Sequence, residues 1–247
     1  MRVSILILAI ALAAVPRGAA AIDPMENAAA RARQTSDSAA LQALQARLSQ
    51  TAQAQPESSK AQLDLAELYL TYANRLRNER KIRSDLPSDQ DKAFRAQQAE
   101  WAAQAIPSAE SARDLAVNDA ERAQAERVLG ELYAHRITGM ISGMINGPRA
   151  RRHIGRSLEL APDDPECNRA IGLMYLNNPP FTGGDVPKAV ETFTGCAEAI
   201  RDDRCLVLLA MAYRKQGNLE AAREAAQAAL DRDPASADAT MMLEELK

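Results

Sequence analysis

Aromatic side chains are scarce in this chain: one Trp, five Tyr and three Phe among 247 residues. With so few large rings, a core must come from aliphatic and small residues, and Ala is abundant, as expected of helices that approach one another closely. Runs alternating β-branched and polar residues are absent, which leaves almost no material for a sheet. Histidine occurs only at His135 and His153, and neither has a partner at i, i+4 that would suggest a local metal-ligand pair. Combined with Cys167, or with Met140 and Met144, they could hold a soft metal. No ligand spacing favours that, so the two methionines read as core or interface and no cofactor is expected. There is no G-x-S-x-G nucleophile turn, and Gly183-Gly184 lacks the further glycines and the Lys of a phosphate loop. Both absences argue against an enzyme. Thirty basic against 33 acidic residues, net −3, leave no electrostatic footprint for nucleic acid.

The one long apolar run lies at the start. Arg2 is followed by an uncharged stretch, residues 3–15, and then by Gly18-Ala19-Ala20-Ala21. A charged start, an apolar middle and an A-x-A-like end predict a signal peptide over residues 1–21, cleaved after Ala21. Thirteen residues rise only about 20 Å as a helix, short of a hydrocarbon core of about 30 Å, which argues against a membrane anchor. The expected location is therefore periplasmic or secreted. Losing Arg2 and Arg17 leaves 28 basic and 33 acidic residues, net −5. Residues 22–35, rich in Ala and Arg, read as a tail or frayed helix.

From residue 36 to 247 the chain reads as helix pairs. Leu41, Leu44 and Leu48 form a first stripe, and a helix over 58–77 carries Leu65, Leu68, Tyr69 and Tyr72. Charges and Pro87 make 81–91 the expected loop. A helix over 90–106 is expected to end before Pro107, which would open a new segment to 117, because proline breaks a helix interior. A pattern then recurs four times: Leu65-Ala66-x-x-Tyr69, Leu129-Gly130-x-x-Tyr133, Ile171-Gly172-x-x-Tyr175 and Leu209-Ala210-x-x-Tyr213. A small residue lets a neighbouring helix come close, and a Tyr fills the gap one turn later. In residues 203–236, Gly217 breaks the pair, Ala222, Ala226 and Ala229 form the second stripe, and Pro234 ends the unit. Relative to that unit, the interval from Tyr175 to Ala189 is five residues longer. It holds Pro179-Pro180 and Gly183-Gly184 before a capping Asp185. The interval from Tyr133 to Ala150 is eight longer and contains Ile137, Met140, Ile141, Met144 and Ile145, apolar at helical spacing. Both insertions, 137–148 and 177–185, join the first helix of a unit to the second.

On these residues the chain resembles the tetratricopeptide-repeat (TPR) proteins, over about 36–247 and most closely in the last third. Leu158-Glu159-Leu160-Ala161-Pro162-Asp163-Asp164-Pro165 and the loop before Asp185 are similar to exported bacterial members. Among these is the T component of periplasmic TRAP-type solute transporters. The resemblance implies an all-α superhelix of about four hairpins, acting without catalysis as a scaffold or adaptor for a protein or peptide partner. The alternative is a transporter accessory that binds a small ligand. It further implies that first helices line a concave groove, with contacts from Arg127, Glu131, His135, Arg169, Leu173, Asn177, Arg204, Val207, Met211 and Arg214. Leu173 and Met211 would be exposed in it. The family's carboxylate clamp needs Lys and Asn where this chain has Val207/Met211, Arg169/Leu173 and Arg127/Glu131. A chaperone-type acidic tail is therefore disfavoured.

Two local features remain open in the sequence. Cys196 and Cys205 flank a short turn and could form a disulfide, or Cys196 could pack as a free thiol at a small-residue position. Cys167, at a helix start, is either an activated thiol or a plain buried one. The basic run Arg149, Arg151, Arg152, His153, Arg156 could meet acidic lipid or an acidic partner, but reads more simply as a solvated outer face, and membrane contact is not expected.

Overall fold

The computed structural model describes residues 38–200 and 203–247, all in helices and their connections. The expected signal peptide and the tail at 22–35 lie outside the described residues. Ten α-helices follow in order: α1 Ser38–Ala54, α2 Ser59–Ile82, α3 Ser88–Leu115, α4 Asp119–His135, α5 Met140–Leu160, α6 Pro165–Asn177, α7 Val186–Ala199, α8 Arg204–Gln216, α9 Leu219–Arg232 and α10 Ala237–Glu245. A 3-10 turn, Pro180–Thr182, precedes α7. Four antiparallel hairpins (α2/α3, α4/α5, α6/α7, α8/α9) stack in sequence, with α1 before them and α10 after. The fold is an all-α helical solenoid.

The helix starts are set by short polar side chains. Ser58, Asn118, Asp164, Asp185, Asn218 and Ser236 each accept a hydrogen bond from a first-turn backbone N–H. A cap of this kind contributes about 1 kcal/mol to its helix. Gly217 closes α8 in the left-handed region, at φ +89°.

The recurring small residue does what its spacing suggests. A Cβ built on Gly130 would lie 2.4 Å from Ile154 Cγ1 and 3.0 Å from the Ile154 backbone N, so α4 and α5 touch there without room for a methyl. On Gly172 it would lie 2.7 Å from Phe193 Cε1 of α7. Gly130→Ala is therefore expected to lose about 1–2 kcal/mol, since overpacking outweighs the better helix propensity of Ala. Gly155, also in α5, has nothing near its would-be Cβ. Gly155→Ala should instead gain up to about 1 kcal/mol. Thermal melts of the two variants, moving in opposite directions, check the close approach.

Two expectations about boundaries are corrected. Pro107 does not divide α3, which runs unbroken from Ser88 to Leu115. The carbonyl that Pro107 leaves without a donor belongs to Ala103, and both residues are exposed. Water can serve that carbonyl, while Ala102, Ala105, Ala109 and Ala112 on the opposite side stay fully buried. The segment 81–91 is not one loop either: α2 continues to Ile82 and α3 begins at Ser88.

That longer α2 changes the inner face of the solenoid. Its residues meet successive first helices: Glu67 pairs with Arg127 of α4, and Asn74 Oδ1 lies 2.9 Å from His135 Nε2 of α4. Asn78 donates to Asp238 of α10 at 2.6 Å, and Arg214 of α8 donates to the Ile82 carbonyl at 2.6 Å. The Ile82 side chain is fully buried in the C-terminal cluster with Leu173, Leu176, Val207 and Met211. The end of α2 thus lies across the concave side and is part of the core there.

Candidate functional site

The charged residues that the repeat register places on the inner face do come together, but as partners of one another. Arg127 Nη1 donates to Glu131 Oε1 at 3.0 Å, and Arg169 Nη2 to the same oxygen at 2.8 Å. Arg169 Nε donates to Glu166 Oε2 at 2.8 Å, and Arg204 Nη2 to Glu166 Oε1 at 2.5 Å. Gln124 bridges Arg127 to Asp164. Alternating signs thus run from Glu67 on α2 through α4 and α6 to Arg204 on α8. Arg127, Glu131 and Arg169 are 4%, 3% and 4% exposed. Burial by itself would raise the pKa of Glu131, but Arg169, Arg127 and Arg77 outweigh it and hold the carboxyl down at about 2. Glu166 is likewise lowered: Arg169, Arg204 and Arg127 overcome its burial. For His135 burial is the largest effect and Arg77 adds to it, pushing the ring down to about 3 and keeping it neutral.

The expected exposure of apolar positions in a groove is not found. Leu173 and Met211 are each 6% exposed and Val207 is 1%, and all three belong to the buried cluster that takes in Ile82 at the end of α2. Asn177, Arg204 and Arg214 keep partial access. Asn177 donates to the Leu173 carbonyl at 3.0 Å, and Arg214 is held by the end of α2. A concavity remains on the outer side, between α7 and α9: a cleft of about 600 Å³ floored by Leu206 and Leu209 and walled by Thr194, Ala197, Glu198 and Arg232. Arg232 is fixed there by donating to the carbonyls of Ala197, at 2.9 Å, and Ile200. The spacing of apolar residues along the chain carries no sign of this cleft.

Cys196 and Cys205 are bonded to each other, their Cα atoms 5.8 Å apart, tying α7 to α8. Cys167 is free and buried, with its thiol pushed up to about 11 by burial and by Asp164. Its place at the start of α6 therefore does not activate it. His153 departs from the expected outer face. It is buried, its ring stacks on Tyr133 and its Nδ1 lies 2.5 Å from Glu126 Oε2. Met140 and Met144, read as core or interface, are 85% and 73% exposed.

Comparison with known proteins agrees with this architecture. Residues 204–236 match the tetratricopeptide repeat family model. No curated protein matches the sequence. A thermophilic TPR protein of Thermus thermophilus, TTC0263, is similar in structure at 15% identity, with a TM-score of 0.58 covering 90% of this chain and 98% of that one. Weaker likenesses are the APC/C hetero-tetramer Cut9–Hcn1 (17% identity, TM-score 0.46, 91% of this chain and 43% of that one) and YrrB (18%, 0.36, 78% and 95%). The second of these is described as a TPR protein with an unusual peptide-binding site. The chain is a TPR-type helical solenoid whose last complete hairpin carries the tetratricopeptide repeat itself.

Proposed function

We propose that this protein is a non-enzymatic interaction scaffold that binds a protein or peptide partner on its outer face, in the cleft between α7 and α9. The observation that carries the reading is the occupied inner face: the end of α2 and the ladder from Glu67 to Arg204 already fill the surface where a solenoid would hold a partner. The strongly shifted groups Glu131, Glu166 and His135 are committed to partners inside the chain, which suits a structural role better than proton transfer. The outer cleft offers an apolar floor with Thr194, Glu198 and Arg232 at its sides, enough for one or two anchoring side chains. On the strength of Arg2, the apolar run after it and Ala19-Ala20-Ala21, we place the scaffold outside the cytoplasm.

A small ligand is the second reading, as for a transporter accessory, and the cleft volume falls in the range such ligands use. The test is a photo-crosslinking amino acid at Thr194 or Glu198, compared with exposed Glu57 in the α1–α2 turn and exposed Glu100 on α3, in cells of the source organism. One macromolecular adduct formed only from the cleft positions is the expected result. Equal labelling at all four positions, or none, overturns the cleft reading. Thermal stabilisation by a solute, abolished by Thr194→Trp, would move the small ligand to the front.

A further inference from the structure

The α4/α5 hairpin end carries the largest concentration of exposed apolar side chains among the described residues. Met140, Ile141, Met144 and Ile145 are 85%, 76%, 73% and 52% exposed, and Ile137 beside them is 37% exposed. The hairpin is held rigid here. Ser142 Oγ accepts from the N–H groups of Thr138 and Gly139, both at 2.9 Å, and Asn146 donates to the Arg136 carbonyl. The segment is thus a formed helix end that projects its apolar residues outward.

Farther along α5, the same face turns basic. At about 100° per residue, Arg149, Arg151, Arg152 and Arg156 fall on the same outward half of α5 as the four apolar residues. The opposite half holds the buried Asn146, Ala150, His153, Ile154 and Ser157. From residue 132 to 158 there are five arginines and no Asp or Glu, in a chain of net charge −3. Of those five, among the described residues, only Arg156 is ion-paired, to Glu159 at 2.8 Å.

We infer that the outer face of α5 is a seat for an anionic lipid surface, with Met140, Ile141, Met144 and Ile145 dipping into the headgroup boundary and the arginines engaging lipid phosphates. An apolar end continuous with a basic face is what an interfacial helix needs, since burial supplies contact area and the cations find anionic headgroups. No described helix is long and apolar enough to cross a membrane, so this is contact in the plane of the surface. A second copy of the chain fits poorly, because meeting through this face would set arginines against arginines. An acidic peptide would satisfy the arginines but leave a convex apolar tip without a pocket. The acidic remainder of the chain would be repelled by the same surface and so turned away from it.

The test is flotation of the full chain with vesicles of mixed phosphatidylglycerol and phosphatidylcholine, against phosphatidylcholine alone. Because residues 3–15 are themselves apolar, the comparison is between variants of one chain. All substituted positions are exposed, and circular dichroism confirms that each variant keeps its helices. Binding is expected to be stronger with the anionic lipid and to weaken with added salt. Met140→Asp/Met144→Asp should reduce it by about tenfold or more, through lost apolar burial. Arg151→Gln/Arg152→Gln should reduce it by about fivefold per arginine, so about 25-fold. Variants that float like the wild type overturn the inference, as does absence of any anionic-lipid dependence. Retention on soluble heparin without flotation would assign the face to an acidic macromolecule instead. Sedimentation as a dimer that Met144→Asp dissolves would assign it to a second copy. Either result overturns the lipid seat.

Discussion

Glu131→Gln is expected to lower stability by about 3–5 kcal/mol while leaving the shape of the site almost unchanged. Gln has nearly the volume of Glu, so no cavity opens; what disappears is the charge between Arg127 and Arg169. Both guanidiniums donate to Glu131 Oε1, at 3.0 and 2.8 Å, and both are about 95% buried. Without the carboxylate, two cations are left facing each other out of water, and breaking a buried pair from one side costs in that range. For a chain of this length the melting temperature should fall by about 10 °C. Repeats couple mainly to their neighbours, so the weakening should concentrate in α4 and α6, where amide hydrogen exchange can localise it. Glu159→Gln is the matched control: its pair with Arg156 is 66% and 50% exposed on the two side chains, and its loss should stay within about 0.5 kcal/mol. If Glu131→Gln melts with the wild type, the inner ladder is not what fixes these helices. The inner face would then have to be reconsidered as a binding surface.

The same residues show how far the sequence could be read. The hairpin register was legible because it rests on local spacing: each Leu/Ile-Gly/Ala-x-x-Tyr block lies in a first helix, and α4 has the expected bounds, 119–135. The cap at Asp185 was legible too, because its chemistry is confined to one turn. Occupancy of the inner face was not legible, because it depends on contacts made across great sequence distances. The sequence reads as a helix that ends at residue 77 and a charged loop over 81–91. The partners of Asn78 and Ile82 lie far along the chain: Asp238 accepts from Asn78, Arg214 donates to the carbonyl of Ile82, and the Ile82 side chain joins the buried cluster of Leu173 and Met211. Pro107 failed as a helix breaker for a reason of orientation, since the carbonyl it orphans faces water and no periodicity argument fixes that. In α5 the basic run and the apolar insertion were both visible as patterns. That they share one outward face emerged only once Asn146, Ala150 and His153 were placed on the inward one.

Acid should unfold this protein in two stages, and His135 sets the first. In the folded chain its ring is held down to about 3 by burial and by Arg77, whereas in the unfolded chain it titrates at about 6.5. Between those values the unfolded state binds a proton that the folded state refuses. Stability therefore falls as pH drops below about 6.5, by about 1.4 kcal/mol per unit for this one proton. Below about 4.5 the carboxylates join. Glu131 is held at about 2 and Glu166 is lowered as well, so the unfolded chain takes up further protons there and the slope becomes about threefold steeper. Thermal melts from pH 7 to pH 3 should show a shallow limb followed by a steep one. His135→Gln can keep a donor for Asn74 without the titration, so it should flatten the limb between 6.5 and 4.5 and spare the lower one. A wild type as stable at pH 5 as at pH 7 would mean that His135 accepts its proton in place. The two arginines flanking it in the electrostatic balance, Arg77 and Arg80, would then be farther from the ring than the packing of α2 against α4 puts them.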